Sequence, residues 1–193
     1  MGTAEHSESG PALNSPEWWA LKIEKYLAAE DYRDRPHEFG ACAAHCRGPV
    51  LDIGCCFGEF VKYLPPAYPY VGMDISPKAI ELARERHPGH IFVCGSIFDA
   101  VQFFTRAFDT VLADQLLEHF EHPLKVAEKL RRIARRRLVL SVPRGLPDEG
   151  KRVGDGHLSG WEDEKAFEAE FCELGKMRFF TGASHHICAV VEV

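Results

Sequence analysis

Pro49-Val50-Leu51-Asp52-Ile53-Gly54-Cys55-Cys56-Phe57-Gly58-Glu59 is the stretch of this chain that decides its fold. Val50 to Ile53 form a short apolar run with one acid inside it, which is typical of a buried strand. Gly54 and Gly58 bracket a predicted tight turn, and an apolar helical pattern resumes at Phe60-Val61. A buried strand, a glycine turn and the start of a helix are the layout of a nucleotide-binding βα unit.

The length and composition describe one globular domain. At 193 residues the chain suits a single α/β domain with a core and is too short for two. Apolar residues make up 46% and charged residues 27%, which is typical of a folded protein. No apolar run approaches the roughly 18 residues of a membrane span, and the N-terminus has no signal-peptide pattern. We therefore expect a cytoplasmic protein without a membrane partner.

The charge of the chain indicates which classes of binding partner are favoured. A formal net charge of −6 argues against a general affinity for nucleic acid. The basic cluster Arg131 to Arg137 lies at the C-terminus of a predicted helix, where cations complement the helix dipole. An anionic partner for this cluster is the alternative. The sequence does not indicate an oligomeric state.

The cysteines do not indicate a disulfide framework or a metal site. The chain has seven, an odd number, and several fall in predicted strands or in the glycine turn. Reduced thiols used as small apolar residues explain this pattern. Cys42, His45 and Cys46 share a helical face, but no second ligand pair at zinc-site spacing accompanies them. We expect no metal.

The N-terminal region precedes the first strand. Residues 1–14 are polar and predicted to be disordered, and residues 15–193 form the domain. Ser15-Pro16-Glu17 is a helix start, with serine as the cap and proline first in the helix. This helix should end near Ala29, and a second should span Arg35 to Cys46. The aromatic residues of this 15–47 region either form a lid over a pocket or pack on the domain edge: Trp18, Trp19, Tyr26 and Tyr32.

Strands and helices alternate after the glycine turn. Further strands are predicted from short apolar runs at residues 68–74, 91–94, 108–113 and 138–142, and helices at 77–87 and 123–134. This alternation predicts a parallel sheet covered on both faces. A long loop at 143–160 and a helix at 161–174 follow. The strands predicted at 176–180 and 187–193 are joined by a short turn, so they should be antiparallel.

Four stretches in order resemble the class I S-adenosylmethionine-dependent methyltransferases from about residue 48 to the C-terminus. They are Val50 to Gly58, Gly72-Met73-Asp74-Ile75-Ser76, Phe108 to Val111 running on to Leu117-Glu118-His119, and Leu140-Ser141-Val142-Pro143. The resemblance implies a Rossmann-like three-layer α/β sandwich with a mostly parallel seven-stranded sheet and an antiparallel last strand. The Leu-Glu-His stretch is most similar to small-molecule methyltransferases of the ubiquinone-biosynthesis O-methyltransferase type.

The resemblance implies S-adenosylmethionine as cofactor, with S-adenosylhomocysteine as product, and it implies ten cofactor-binding positions. Backbone N–H groups of the turn would bind the cofactor carboxylate, with an acid nearby for its ammonium group. An acid about 20 residues further on, at the end of the second strand, would take the ribose hydroxyls. Other positions would contact the adenine and the sulfonium. In chain order the ten are Asp52, Gly54, Cys55, Cys56, Asp74, Ile75, Ser96, Ile97, Asp114 and Gln115.

The sequence departs from the family pattern at two of these positions. Cys56 replaces the middle glycine of the turn, and cysteine adopts positive φ only at a cost, so the turn is expected to use ordinary dihedral angles. Ser96 stands where the family usually has aspartate, so a hydroxyl would act there without a charge.

A nicotinamide-dependent dehydrogenase is the competing interpretation of the turn. Its turn needs glycines that let a helix N-terminus approach a pyrophosphate. In this chain Cys56 and Glu59 occupy the second and third glycine positions. Because Glu59 would place a negative charge at the pyrophosphate, the dehydrogenase interpretation is disfavoured.

His119 is the candidate catalytic residue, as a general base that follows the fourth strand at the edge where ligands bind. The alternative is that Glu118 and His119 brace the rim of the pocket. His157 either contacts substrate or is an exposed loop residue, and Asp109 is expected to orient its strand.

The sequence therefore predicts a methyltransferase that acts on an oxygen or nitrogen of a small molecule. The alternative is a catalytically weak protein of the same fold that binds S-adenosylmethionine or S-adenosylhomocysteine, which the departures at Cys56 and Ser96 motivate.

Overall fold

The computed structural model describes residues 11–28, 35–145 and 156–193. The strands are β1 (Val50–Ile53), β2 (Tyr70–Asp74), β3 (Ile91–Cys94), β4 (Phe108–Asp114), β5 (Ala134–Pro143), β6 (Lys176–Phe180) and β7 (His186–Glu192). The helices are α1 (Pro16–Ala28), α2 (Pro36–His45), α3 (Pro77–Arg86), α4 (Ile97–Phe103), α5 (Pro123–Ile133) and α6 (Glu164–Phe171). Within these ranges we find no helix with the length and apolarity that a membrane crossing demands.

The described strands form one seven-stranded sheet in the order β3-β2-β1-β4-β5-β7-β6. β1 lies at the centre and pairs in parallel with β2 and β4, so Val50 lies beside both Tyr70 and Thr110. β7 is inserted antiparallel between β5 and β6. This arrangement confirms the predicted fold class, including the antiparallel final strand pair.

Side-chain alternation along the central strands divides the core into two layers. Successive residues of a strand point to opposite faces of the sheet. Leu51 therefore packs in the layer that contains Leu130 of α5 and Phe167 of α6. Its neighbour Val50 packs in the opposite layer, with Phe39 of α2. Because β1 is buried on both faces, its apolar side chains are hidden from water on both sides.

Polar side chains start the helices that follow the strands. The Ser76 hydroxyl accepts a hydrogen bond from the Ala79 N–H, and Pro77 is the first residue of α3. Ser96 and Asp99 form a reciprocal capping box at the start of α4. The prediction did not include α4, although a serine followed three residues later by an acid was a readable signal for it.

Two features differ from the prediction. The helix expected after the glycine turn is only a 3₁₀ helix, Glu59–Tyr63. Pro65 and Pro66 follow closely, and proline lacks the N–H that a longer helix needs. Arg135, Arg136 and Arg137 do not lie at a helix end, because β5 begins at Ala134 and includes them.

The arginines at the start of β5 have protein partners. Arg135 lies 3.0 Å from a carboxylate oxygen of Asp109, and Arg136 lies 3.6 Å from the other. The Arg137 guanidinium donates to the His45 carbonyl oxygen and contacts Glu192. These contacts support a structural role for Arg135 to Arg137 and for Asp109.

The N-terminal segment was predicted to be disordered through residue 14. Its first ten residues lie outside the described ranges, but Asn14 is placed and its amide Nδ2 donates to two backbone carbonyls, those of His119 at 3.0 Å and Gly156 at 2.9 Å. The side chain of Asn14 is therefore held by acceptors that lie more than 100 residues away in the chain, and no local pattern could indicate them. Tyr32 and most of the predicted 143–160 loop also lie outside the described residues.

Candidate functional site

A cavity of about 580 Å³ opens at the carboxyl ends of the parallel strands. Volumes of roughly 300–1,000 Å³ are typical of small-molecule sites. Its wall contains most of the predicted cofactor residues and the predicted base: Gly54, Cys56, Asp74, Ile75, Ser96, Ile97, Asp114, Gln115 and His119.

The glycine turn after β1 uses left-handed backbone at three positions. Gly54 has φ +79°, Cys56 has φ +46° and Gly58 has φ +75°. The expectation that Cys56 has ordinary dihedral angles is therefore wrong. The Cys56 N–H donates to a carboxylate oxygen of Asp74 at 3.0 Å, and this bond offsets the left-handed conformation, which costs roughly 1–2 kcal/mol.

Asp74, at the end of β2, is the acid that faces the cavity. One carboxylate oxygen accepts from the Cys56 N–H, and the other accepts from the Ser76 N–H at 2.8 Å. Burial raises the pKa of Asp74, and these backbone donors act in the opposite direction. The two bonds hold the carboxylate across the turn, and each oxygen keeps acceptor capacity for a ligand in the cavity.

Asp52 and Cys55 do not line the main cavity. They lie with Gly54 in a water-sized recess on the other side of the turn. The Asp52 carboxylate accepts a hydrogen bond from the Tyr70 hydroxyl at 2.8 Å. Burial raises the pKa of Asp52 from 3.8 to about 7, against the opposing effect of that bond. Burial also raises the pKa of the Cys55 thiol, so it acts as an apolar group.

Replacing Asp52 with asparagine is expected to stabilise the ligand-free protein, and more so at high pH. The folded state holds the Asp52 proton up to about pH 7, while the unfolded state releases it near pH 4. The unfolding free energy of the wild type therefore falls as pH rises through this interval. We expect the advantage of Asp52→Asn, measured by urea unfolding, to grow by about 2 kcal/mol between pH 5 and pH 8.

Glu85→Gln is the matched control, because Glu85 is an exposed carboxylate on α3. Its stability relative to the wild type should be nearly the same at both pH values. An Asp52→Asn advantage that does not change with pH would contradict the assignment of a buried, protonated Asp52.

Ser96 and Ile97 border the cavity at the start of α4. The Ser96 hydroxyl donates to the Asp99 carboxylate at 2.9 Å and accepts from the Asp99 N–H at 3.3 Å. Its hydrogen bonds therefore serve the helix cap. Ile97 is the first residue of α4, and an N–H at this position has no acceptor within the helix.

A buried ion-pair network lies beneath Asp114 and Gln115. Arg35 donates to the Asp114 carboxylate at 2.5 Å and to the Glu38 carboxylate at 2.9 Å. The other Glu38 oxygen accepts from the Ser141 hydroxyl at 2.7 Å. Gln115 has φ +52°, and its amide lies within hydrogen-bond distance of the same Glu38 oxygen.

The pKa values of the two carboxylates in this network shift in opposite directions. For Glu38, burial raises the pKa, but the hydrogen bond from His186 and the Arg35 charge outweigh it and lower the pKa to about 2. Burial raises the pKa of Asp114 despite the nearby Arg35. Sequence reasoning missed Arg35 and Glu38, because no local pattern connects the start of α2 with the end of β4.

Glu59 does not face the main cavity. Its carboxylate is buried and pairs with Arg86 at 2.9 Å and with Lys62. The argument that Glu59 would repel a pyrophosphate is therefore wrong, because its charge is compensated. The dehydrogenase interpretation is disfavoured for another reason: only the short 3₁₀ helix follows the turn, and it lacks the long helix dipole that binds a pyrophosphate.

His119 lines the cavity together with Glu118 and His157. The His119 Nδ1 lies 3.0 Å from the Gly156 carbonyl oxygen, and Trp19 meets its ring edge to face at 4.8 Å. The ring of His157 is 5.0 Å from that of His119. Glu118 is only 1% exposed, and burial raises its pKa to about 8.

Apolar and aromatic side chains complete the wall of the cavity. Helix α1 contributes Trp19, Ile23 and Tyr26, and the segment after β4 contributes Leu116 and Phe120. Helix α1, the first of the two helices predicted in the 15–47 region, thus supplies part of the cavity wall. Glu118 was named only as a rim residue, and the Leu117-Glu118-His119 stretch was the signal that identified its position.

Comparisons with known proteins agree with this fold. Residues 51–140 match a family described as a methyltransferase domain. The trans-aconitate 2-methyltransferase of Rhodopseudomonas palustris (strain BisA53) is 37% identical over 79 residues, which are 38% of this chain. The chain spans about a third of the length of that curated relative, since the match covers 31% of it.

Solved structures with low sequence identity share the whole fold. A chain from the complex between the Haloferax volcanii Trm112 methyltransferase activator and a methyltransferase aligns with a TM-score of 0.68 at 14% identity, covering 92% of this chain and 96% of that one. The magnesium protoporphyrin IX methyltransferase of Synechocystis PCC 6803, solved with bound S-adenosylmethionine, aligns with a TM-score of 0.56 at 18% identity, covering 91% and 79%.

Proposed function

The chain belongs to the class I S-adenosylmethionine-dependent methyltransferases, and from this premise we propose that it transfers the cofactor's methyl group to an oxygen or nitrogen of a small molecule. The observation that carries the proposal is the continuity of the cavity, which runs from Gly54 and Asp74 to His119. Cofactor-binding positions and a candidate base thus share one space.

The residues around the turn fit this cofactor. The N–H groups of Gly54 and Cys55 donate to the Met73 carbonyl oxygen, so the turn is held against β2. Only a short 3₁₀ helix follows the turn, and the absence of a phosphate-binding helix there suits a ligand that carries no phosphate. Glycine is favoured at position 54 because its φ is +79°, and a Cβ there would also lie 3.1 Å from the Leu116 side chain. When bound, the cofactor supplies an electrophilic methyl group on a sulfonium.

The remaining contacts are assigned by position in the cavity. Asp74 accepts hydrogen bonds from the ribose hydroxyls, Ile75 packs on the adenine, and the Ile97 N–H binds the adenine edge. The Asp114 carboxylate lies toward the sulfonium, but Arg35 already compensates its charge. Asp52 acts from behind the turn, where it orients the backbone rather than facing the main cavity.

His119 accepts the acceptor's proton in this proposal. The Gly156 carbonyl can only accept a hydrogen bond, so His119 Nδ1 carries a proton and donates it. The neutral imidazole then has its lone pair on Nε2, on the side where Glu118 lies. Positioning of the acceptor against the methyl group supplies much of the remaining rate.

The acceptor is small because the cofactor and the acceptor share one cavity of about 580 Å³. Trp19, Tyr26 and Phe120 favour a molecule with an apolar or aromatic portion. The net charge of −6 argues against a nucleic acid partner.

The second candidate is a catalytically weak protein that binds S-adenosylmethionine or S-adenosylhomocysteine. The capping role of the Ser96 hydroxyl favours it, because that hydroxyl is engaged with Asp99 where the family usually has a free carboxylate.

Calorimetric titration with S-adenosylhomocysteine tests the cofactor assignment. We expect saturable binding to the full chain, and no binding at millimolar ligand would exclude both candidates. Incubation with methyl-labelled S-adenosylmethionine and a fractionated metabolite extract then separates them. Label in a small-molecule product supports the enzyme, and binding without transfer to any fraction supports the second candidate. His119→Gln should lower transfer while leaving S-adenosylhomocysteine affinity unchanged.

A further inference from the structure

We propose that Glu118, His119 and His157 bind a divalent transition-metal ion at the acceptor end of the cavity. The metal site stands on its own geometry, and its use in catalysis rests on the methyltransferase proposal above.

The three side chains bring their ligand atoms together. One carboxylate oxygen and one nitrogen from each imidazole all lie within 4.8 Å of one another, and in the described part of the chain no other group of this kind occurs. The His119 Nε2 is 4.0 Å from a Glu118 oxygen. Ligand atoms around an ion with bonds of about 2.1 Å lie about 3–4 Å apart, so small side-chain rotations would complete the site.

His119 is oriented as a metal-binding histidine usually is. Its Nδ1 lies 3.0 Å from the Gly156 carbonyl oxygen, and that oxygen also accepts from the Asn14 amide. A metal-bound histidine almost always donates its other N–H to such an acceptor, which fixes the ring and its tautomer. The lone pair of His119 is thereby placed on Nε2, toward Glu118.

Backbone hydrogen bonds hold the segments that carry the ligands. The Glu118 carbonyl oxygen accepts from the N–H groups of Leu158 at 2.6 Å and Ser159 at 3.0 Å. The Ser159 hydroxyl donates to the Phe120 carbonyl oxygen at 2.7 Å. His157 is therefore placed beside Glu118 and His119 by bonds that do not involve any of the three ligand side chains, so the site is preorganised.

The burial of the Glu118 carboxylate supports the metal site independently of the distances between the ligand atoms. Its side chain is 1% exposed and faces the cavity, and neither carboxylate oxygen has a hydrogen-bond partner among the described residues. A buried carboxylate without a donor is unfavourable unless it is neutralised or binds a cation. The cation of the Arg35 network is committed to Glu38 and Asp114. A bound metal ion would satisfy Glu118.

The ligand set selects the class of ion and of acceptor. Two imidazoles and one carboxylate suit Zn²⁺, Fe²⁺, Mn²⁺ or Co²⁺ rather than Mg²⁺ or Ca²⁺, which prefer oxygen ligands. Three protein ligands leave positions open for the substrate. The acceptor class is therefore a small molecule whose reacting hydroxyl binds the ion.

The ion would replace the imidazole as the group that activates the acceptor. Coordination lowers the pKa of the acceptor hydroxyl, whose proton leaves to water. The resulting oxygen anion attacks the methyl carbon and forms the O–C bond. The C–S bond breaks with its electron pair going to sulfur, which gives S-adenosylhomocysteine and the methyl ether. His119 then acts as a ligand and no longer as a base.

Titration of the chelator-treated full chain with Co²⁺, followed by visible absorption, tests the site. We expect one equivalent to bind with the absorption of a nitrogen- and oxygen-ligated ion. Glu118→Gln and His157→Asn should each weaken Co²⁺ binding by at least tenfold. His185→Ala is the control, because His185 is exposed and distant in sequence from the three ligands, and its affinity should match the wild type.

Titration of the same proteins with S-adenosylhomocysteine keeps the two proposals apart. If the wild type binds S-adenosylhomocysteine but not Co²⁺ or Zn²⁺, the metal site is wrong and the methyltransferase proposal stands. Unchanged Co²⁺ affinity in Glu118→Gln and His157→Asn would also overturn the site. Unchanged S-adenosylhomocysteine affinity in these variants shows that they are folded.

Discussion

Replacing Asp74 with alanine is expected to weaken S-adenosylhomocysteine binding about 100-fold or more. Hydrogen bonds to a charged group contribute about 1.5–3 kcal/mol each, and the carboxylate is assigned to the ribose hydroxyls. The change also removes the acceptor of the Cys56 N–H, so the left-handed turn loses the bond that supports it. Calorimetry on the wild type and the variant measures the loss.

Two further variants make the Asp74 result interpretable. Asp74→Asn keeps one carbonyl oxygen for the backbone donors but removes the charge, so its affinity should lie between the wild type and Asp74→Ala. Glu81→Gln changes an exposed carboxylate on the adjacent helix α3 and should bind as the wild type does. If Asp74→Ala keeps wild-type affinity, Asp74 does not bind the ribose.

Replacing Arg35 with methionine is expected to lower the unfolding free energy by about 3–5 kcal/mol at pH 8. Arg35 bridges Glu38 and Asp114, both of which are buried. Removing one partner of a buried ion pair leaves an uncompensated charge, and losses of this size follow. The expected loss is larger than that of an exposed ion pair, which contributes about 0–1 kcal/mol.

The Arg35 effect should depend on pH. In the wild type, the pKa of Glu38 is lowered from 4.5 to about 2, so its stabilising contribution is present above about pH 4.5 and is lost as pH falls toward 2. Without Arg35, the Glu38 pKa rises and the carboxyl takes up a proton at higher pH. The destabilisation by Arg35→Met should therefore be smaller at pH 5 than at pH 8.

Urea unfolding at both pH values measures this difference. Arg131→Met on α5 is the matched control, because Arg131 is exposed, and it should change the unfolding free energy little at either pH. Arg35→Lys keeps the charge but lacks the planar guanidinium that donates to Glu38 and Asp114 at once. The unfolding free energy of this variant should therefore lie between those of Arg35→Met and the wild type. A loss below 1 kcal/mol, or an equal loss at pH 5 and pH 8, would contradict the central role of Arg35.

Local patterns predicted the fold because the central strands are short apolar runs that are covered on both faces of the sheet. β1 is apolar and covered on both faces, so the run Val50 to Ile53 was enough to identify it. The short turn between β6 and β7 left antiparallel pairing as the only arrangement. Among the α-helices of the described residues, the sequence analysis missed α4, which is short, with seven residues from Ile97 to Phe103.

The candidate site was predictable only where its residues lie next to a strand end. Asp74 and Asp114 are the last residues of parallel strands and His119 follows one, and the carboxyl ends of these strands meet at one edge of the sheet. Arg35 and Glu38 lie in or beside α2, and Asn14 lies before α1, far from the residues they contact. Nothing in their own neighbourhoods distinguishes them from surface residues.

The sequence by itself determined the succession of strands along the chain, the position of the glycine turn and the residues at the strand ends, because hydrophobic periodicity and glycine placement act over a few residues. The order of the strands in the sheet came from the tertiary structure. Tertiary structure alone decided the backbone conformation of Cys56, the compensation of Glu59 by Arg86 and the meeting of Glu118 with His157. Each of these depends on a hydrogen bond or a charge from a distant segment. Such interactions exist only once the sheet has formed, so the glycines of the turn supply its left-handed backbone at Gly54 and Gly58, while the left-handed Cys56 depends on the hydrogen bond to Asp74.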